Sequence, residues 1–223
     1  MKKILLAGLL LMVTSTANAV LINIDFGGGP QYNGQGILGD AVNTTWNNSL
    51  STGQENLLLA DGSTSVVDLT TTFNGGNFNN VGTLNDLLRD RAIGASPGTA
   101  AETITFSSLA ANTAYDIVLY NGFFAQTYSI TGQGISATTD PASASNNYPW
   151  TEGVEYAVLS SVMSDGSGNL AITITPFSGS NNANGVYATI AGLQIQQVPL
   201  PAAAYLFITG LLGLVGIARR KKT

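Results

Sequence analysis

The sequence predicts an all-β body, a single jelly-roll-like β-sandwich with one short helix, followed by a C-terminal transmembrane helix. Three observations carry this. Short runs of period two recur between clusters of Gly, Asn and Ser, which is the pattern of a sandwich. Only the stretch 84–92 has an apolar stripe of helical spacing. Residues 202–218 are uncharged and mostly apolar, and as a helix they reach about 26 Å, just enough for a hydrocarbon core of about 30 Å.

In chain order, Lys2 and Lys3 precede an apolar run, 4–13, that is too short to span a membrane. Ala17-Asn18-Ala19 then supplies the small-x-small pattern of a signal-peptidase site, with cleavage expected after Ala19. The domains are therefore 1–19, an export signal; 20–197, the extracytoplasmic body; and 198–223, a C-terminal segment. The first strand, 20–26, puts Ile22, Ile24 and Phe26 on one face. Runs 66–73 and 103–109 follow, the latter with Ile104 and Phe106 inward. Run 115–120 carries large apolar groups on both faces, so it reads as the most buried. Runs 126–131, 154–162 and 170–175 continue the pattern, with Leu170, Ile172 and Ile174 in phase. In 186–196 the phase changes: Val186, Ala188 and Ile190 hold even positions, Leu193 and Ile195 odd ones. One extra residue must be absorbed near Gly192, which predicts a β-bulge. For the helix 84–92, Thr83 is the cap, Asp86 sits in the first turn, and Leu84, Leu87 and Leu88 form the stripe. Long loops are expected at 27–53 and 140–153. Asp165-Gly166-Ser167-Gly168-Asn169 reads as a hairpin turn.

Composition narrows the chemistry. There is no cysteine, so stability must come from packing without disulfides even after export. There is no histidine, which removes Ser-His-Asp and Cys-His catalysis and nearly every zinc, copper or haem site. Of eight Lys and Arg, only Arg89 and Arg91 fall in the body, against all 13 acidic residues, a net of −11. An acidic, lysine-free surface repels phosphate backbones, so no nucleic-acid partner is expected.

The sharpest local motif is Tyr148-Pro149-Trp150. Proline holds the chain extended, and Tyr148 or Trp150 offers a flat surface on which a sugar ring can stack. Asn146, Asn147 and Glu152 beside it supply groups for hydroxyls, so these five residues form the candidate glycan site. The competing reading is that the aromatics seal one end of the sandwich, and Tyr32, Trp46, Phe123 and Phe124 pose the same choice. Glu152 and Glu155, with Asp140 upstream, are the carboxylates a glycan hydrolase or lyase would need. On a strand, however, residues three apart face opposite ways. No catalytic residue is assigned, and a hydrolase or lyase is the alternative. Asp25, Asp40, Asp61, Asp165 and Asn169 are the oxygen donors open to calcium, and a calcium-stabilised adhesion module is a third reading. No cofactor is otherwise expected. Arg89 and Arg91 suit a carboxylate or acidic sugar, though Arg89 is also spaced to pair with Asp86 on one helix face. Gly27-Gly28-Gly29 lacks the Lys-Ser/Thr ending of a phosphate loop.

The C-terminal segment holds the most specific pattern. Val198-Pro199-Leu200-Pro201-Ala202 leads into the apolar run, which ends at Arg219-Arg220-Lys221-Lys222. The prolines mark an extended segment outside the span, and the four cations stay cytoplasmic by the positive-inside rule. A proline motif, one span and a short basic tail in this order resemble the PEP-CTERM class of exosortase signals, in its VPLPA-CTERM variant. Leu200 stands where the commoner version has Glu, which points to a variant-specific exosortase. The resemblance implies a Gram-negative bacterium that makes extracellular polysaccharide, with signal peptidase and a membrane-embedded exosortase as processing partners. It implies a body first anchored in the inner membrane and facing the periplasm, then delivered to the cell surface or matrix. The expected role there is structural or glycan-binding. In architecture the body is similar to galactose-binding-like and malectin-like modules.

Overall fold

The computed structural model describes residues 20–27, 31–39, 42–49, 53–74, 86–89, 91–94, 100–121, 126–140, 149–176 and 187–199. The compact body is 20–198. Its elements are β1 (Leu21–Phe26), β2 (Asn47–Ser49), β3 (Gly53–Gln54), β4 (Asp68–Thr71), α1 (Asp86–Arg89), β5 (Ala92–Ile93), β6 (Glu102–Ser107), β7 (Ala114–Tyr120), β8 (Gln126–Ile130), β9 (Ile135–Thr139), β10 (Tyr156–Met163), β11 (Leu170–Pro176), β12 (Thr189–Ile190) and β13 (Gly192–Gln197).

The body is all-β, built on two large sheets and one small one. A five-stranded sheet runs β10-β7-β13-β1-β2, a six-stranded sheet β3-β4-β6-β11-β8-β9, and β12 pairs with β5. The pairings are antiparallel except β1 with β2, which is parallel with Ile24 opposite Asn47. The inward faces of the two large sheets share one apolar cluster, in a sandwich-like arrangement. Ile22, Ile24, Phe26, Ile117, Leu119, Leu193 and Ile195 come from one sheet, and Leu69, Ile104, Phe106, Tyr128, Ile172 and Ile174 from the other. The alternation at 22–26, 104–106 and 170–174 is thus the inner face of each strand, and the expected core residues Ile104, Phe106, Ile117, Leu119, Ile172 and Ile174 are all fully buried.

Several local expectations are corrected. The helix described is the single turn α1, and Ala92, expected to close it, lies in β5, paired with Ile190. The phase change before Gly192 is not a bulge within one strand. The strand breaks at Ala191, and the chain passes from the small sheet to the five-stranded one, so Ile190 and Leu193 both reach the core. Gly192 is needed at this step, because a Cβ there would lie 2.6 Å from Leu87 Cδ1. The bulge sits instead in β10, where the register slips between Leu159 and Val162 and Ser161 takes φ 55°. Residues 165–169 do form a tight turn, but β10 and β11 belong to different sheets, so the turn carries the chain across the sandwich and does not close a hairpin. β2 and the first residue of β3 fall in what reads as the loop 27–53, and β9 and β5 come from stretches with little apolar alternation. No helix among the described residues is long and apolar enough to cross a membrane. The expected span 202–218 and the export signal 1–19 lie outside the described residues.

Candidate functional site: the outer face of the five-stranded sheet

Period two gives each strand of the five-stranded sheet a second face. On β7, Tyr115, Ile117 and Leu119 enter the inter-sheet core, while Val118 and Tyr120 join a separate cluster with Trp46, Leu87, Leu88, Trp150 and Ala191. On β1 and β13 the residues between the core positions are polar and equally buried: Asn23, Asp25 and Gln194 are at most 2% exposed. Burying such groups is costly unless each finds a partner. Residues 31–39, a strap across this face, provide many of them.

Gln194 holds the strap's backbone at both ends of its carboxamide: Leu38 N–H donates to Oε1 at 2.9 Å, and Nε2 donates to Leu38 O at 3.0 Å. The same Nε2 donates to Asn23 Oδ1 at 2.8 Å, and the Tyr120 hydroxyl donates to Gln194 Oε1 at 2.5 Å. Ile37 N–H donates to that hydroxyl at 2.7 Å. Tyr32 N–H donates to Asp25 Oδ2 at 2.8 Å, Trp46 Nε1 donates to Gly34 O at 2.9 Å, and Gln31 Nε2 donates to Trp46 O. Gly36 leaves room for this contact, since a Cβ there would overlap the Gln194 carboxamide and displace it. Farther along, Asn23 Nδ2 donates to Thr45 O at 3.0 Å, and Asn47 pairs with both the N–H and C=O of Leu58 at 2.8 Å.

Four aromatic rings meet over this network. Tyr32 stands edge-on to Trp46 at 5.0 Å and 6.2 Å from Trp150; Tyr120 lies 5.1 Å from Trp150 and 6.2 Å from Trp46. Such edge-to-face pairs are favoured by the ring quadrupoles. Trp150 is only 5% exposed and belongs to this cluster, so of the two readings the sequence left open, burial holds for it and an exposed stacking surface does not. Tyr148, Asn146 and Asn147 lie outside the described residues. Glu152 is exposed and bridges to Tyr156, while Glu155 is buried, with Oε2 accepting the Thr151 N–H at 2.8 Å. The two glutamates therefore face different surroundings, although Glu155 lies in the turn before β10 and strand alternation is not what separates them.

The oxygen donors are dispersed. Asp165 Oδ1 accepts the N–H groups of Ser167 and Asn169 at 2.8 Å each, which holds its carboxyl below the usual carboxylate range and makes it the clasp of the turn. Asp61 is held down in the same way by Ser63. Asp25 serves the strap, Asn169 Nδ2 donates to Asp165, and Asp40 lies outside the described residues. Among the described residues no three or more acidic side chains gather as a metal site. Arg91 is buried beside α1, and burial pulls its guanidinium down to about 10; the Arg89 side chain lies outside the described set. A second buried polar group joins Asn121, Thr189, Tyr128 and Thr139, where burial pushes the Tyr128 phenol up. Of the sorting motif, Val198 donates its N–H to Ala114 O at 2.9 Å and Pro199 is exposed. Leu200, Pro201, Ala202, Arg219, Arg220, Lys221, Lys222, Ala17 and Ala19 lie outside the described residues.

The chain matches no protein-family model and no curated protein. Among solved structures it is similar to the ANXUR2 extracellular domain from Arabidopsis thaliana, with 16% identity and a TM-score of 0.44 over 81% of this chain and 50% of that one. The ANXUR1 extracellular domain from the same plant gives 12% identity and a TM-score of 0.41, over 82% and 49%. The chain spans about half the length of each. At this identity and TM-score the likeness assigns neither a family nor a function.

The functional reading of the sequence missed Asn23, Asn47, Tyr120 and Gln194. For Asn23 and Gln194 one signal was available: a polar residue between apolar neighbours of a strand, which when buried needs a hydrogen-bond partner from whatever covers the sheet.

Proposed function

We propose that the chain is an exported, exosortase-sorted protein of the cell surface or extracellular polysaccharide matrix, with a jelly-roll-like body in a structural or glycan-binding role. The observation that carries this is the sequence of 198–223, which has in succession a Val-Pro-Leu-Pro-Ala motif, an uncharged stretch 202–218 and the cations Arg219, Arg220, Lys221 and Lys222. The export signal 1–19 agrees with it. The absence of histidine and cysteine, with Glu155 engaged inside the body, favours a role without catalysis. Signal peptidase and exosortase act on the two ends, and the inner membrane holds the body in the periplasm until the tail is removed. Mass spectrometry of surface material from a host with and without its exosortase tests this. The tail peptide is expected to be missing from surface material and retained in membranes of the exosortase-deficient host. Intact tail on surface material contradicts the processing.

A further inference from the structure

The groups that hold the strap are those that recognise a polyhydroxylated ring. With residues 31–39 lifted, the sheet presents the Trp46, Tyr120 and Trp150 rings beside the Tyr120 hydroxyl, the Gln194 carboxamide and the Asp25 carboxylate. Flat rings suit the C–H faces of a sugar, and amide, phenol and carboxylate groups suit its hydroxyls. Tyr32 already lays a ring against both tryptophans where an outside ring would stack.

The strap's hold is largely polar and reads backbone. Its anchors on the sheet meet Tyr32 N–H, Gly34 O, Ile37 N–H and Leu38 N–H and C=O, while Gln31, Asn33, Gln35 and Gly39 are exposed and Ile37 and Leu38 only half-buried. Net hydrogen-bond contributions are about 1 kcal/mol each in exchange with water. Lifting the strap also uncovers the aromatic cluster on which Tyr32, Ile37 and Leu38 pack, a cost that a bound ring offsets by covering the same surface and replacing the same bonds. The inter-sheet core does not share these contacts, so it survives the opening.

We propose that residues 31–39 are a releasable cover, keyed by Gln194, over a binding face for neutral glycan rings. The class is neutral because Asp25 lies on the face and the body is strongly acidic, which repels polyanions. The proposal rests on the glycan-binding arm of the function above. A cover closed about 99% of the time or more weakens apparent affinity about 100-fold or more, and uncovering restores it.

Both tryptophans of the chain lie in this cluster, so their emission reports the cover directly. The test uses the full-length chain in mild detergent, with Leu38→Pro to remove the strap N–H that Gln194 holds and Tyr32→Ala to remove only the covering ring, so that the binding face itself is untouched. Emission is read first, then retention in native gels cast with laminarin or dextran, with alginate as the acidic control. The expected result is red-shifted emission in both variants and about tenfold or greater tightening on a neutral glycan, none on alginate. If Leu38→Pro fails to fold, Tyr32→Ala decides alone. Unchanged emission overturns the cover. Red-shifted emission with unchanged retention on both neutral glycans, or with self-association in its place, overturns the glycan face. Neither outcome touches the sorting of the chain, which the exosortase comparison reads separately.

Discussion

The two faces of the five-stranded sheet bury different chemistry. Toward the six-stranded sheet, Ile117, Leu119, Ile24 and Ile195 pack against aliphatic and aromatic partners whose hold is non-directional. Away from it, Asn23, Tyr120 and Gln194 bind a strap whose register is set atom by atom through their hydrogen bonds. The first face makes the body fold. The second makes one particular loop lie in one particular place, in a chain that has no cysteine to pin it covalently.

The comparison breaks first at the core. Ile117→Ala or Leu119→Ala is expected to cost about 2–5 kcal/mol, because each leaves a cavity between two sheets. Chemical denaturation of the full-length chain checks this, and wild-type midpoints for both would mean that the inner face is misassigned. At the edge of the inner face, where Asn47 lies in register with Ile24, Asn47→Ala strands the Leu58 N–H and C=O together and is expected to cost about 1–3 kcal/mol. Tyr120→Phe keeps the ring and removes only the hydroxyl between Ile37 and Gln194. A loss of about 1–2 kcal/mol, with unchanged denaturant slope, is expected.

Smaller effects sharpen the same contrast at the edges. Gln133 pairs with Met163 much as Gln194 pairs with Leu38: its Nε2 donates to Met163 O at 2.7 Å, and Met163 N–H donates to its Oε1 at 2.9 Å. This clip sits on β10, an edge strand beside its bulge, and is solvent-exposed. Gln133→Ala is expected to cost about 1 kcal/mol or less, read as a small shift of the denaturation midpoint. The smallest effect is at Asp165. Its folded pKa is depressed by the turn's N–H groups, so its contribution is present above the unfolded carboxylate pKa and lost as pH falls through the lower folded value. The Ser167 and Asn169 amide resonances should titrate with a midpoint below about 3.9, the ordinary aspartate value. A midpoint at or above it would remove the clasp.

What the sequence made legible follows the same division. Inner faces follow a period of two, so Ile104 and Phe106, or Ile172 and Ile174, could be placed from local pattern alone. The outer layer depends on partners far apart in the chain, such as Gln194 with Leu38, and no local period announces them. Trp150 illustrates the cost. Its neighbours in sequence suggested a solvent-facing platform, whereas its neighbours in space, Tyr120 and Tyr32, enclose it. The phase change at 186–196 was visible, but its outcome was decided by β5 offering a second sheet to β12. The turn 165–169 was likewise visible as a turn, while the sheets it joins were set by global pairing.

Native-state hydrogen exchange on the full-length chain tests most directly the claim that strap and core are separate layers of stability. The Ile37 and Leu38 amides, bonded to Tyr120 and Gln194, should exchange through a sub-global opening, with clearly lower protection than Ile117, Leu119 and Ile172 and little denaturant dependence. Equal protection and a common denaturant slope for both sets would show that the strap leaves only when the whole body unfolds, and would contradict the account.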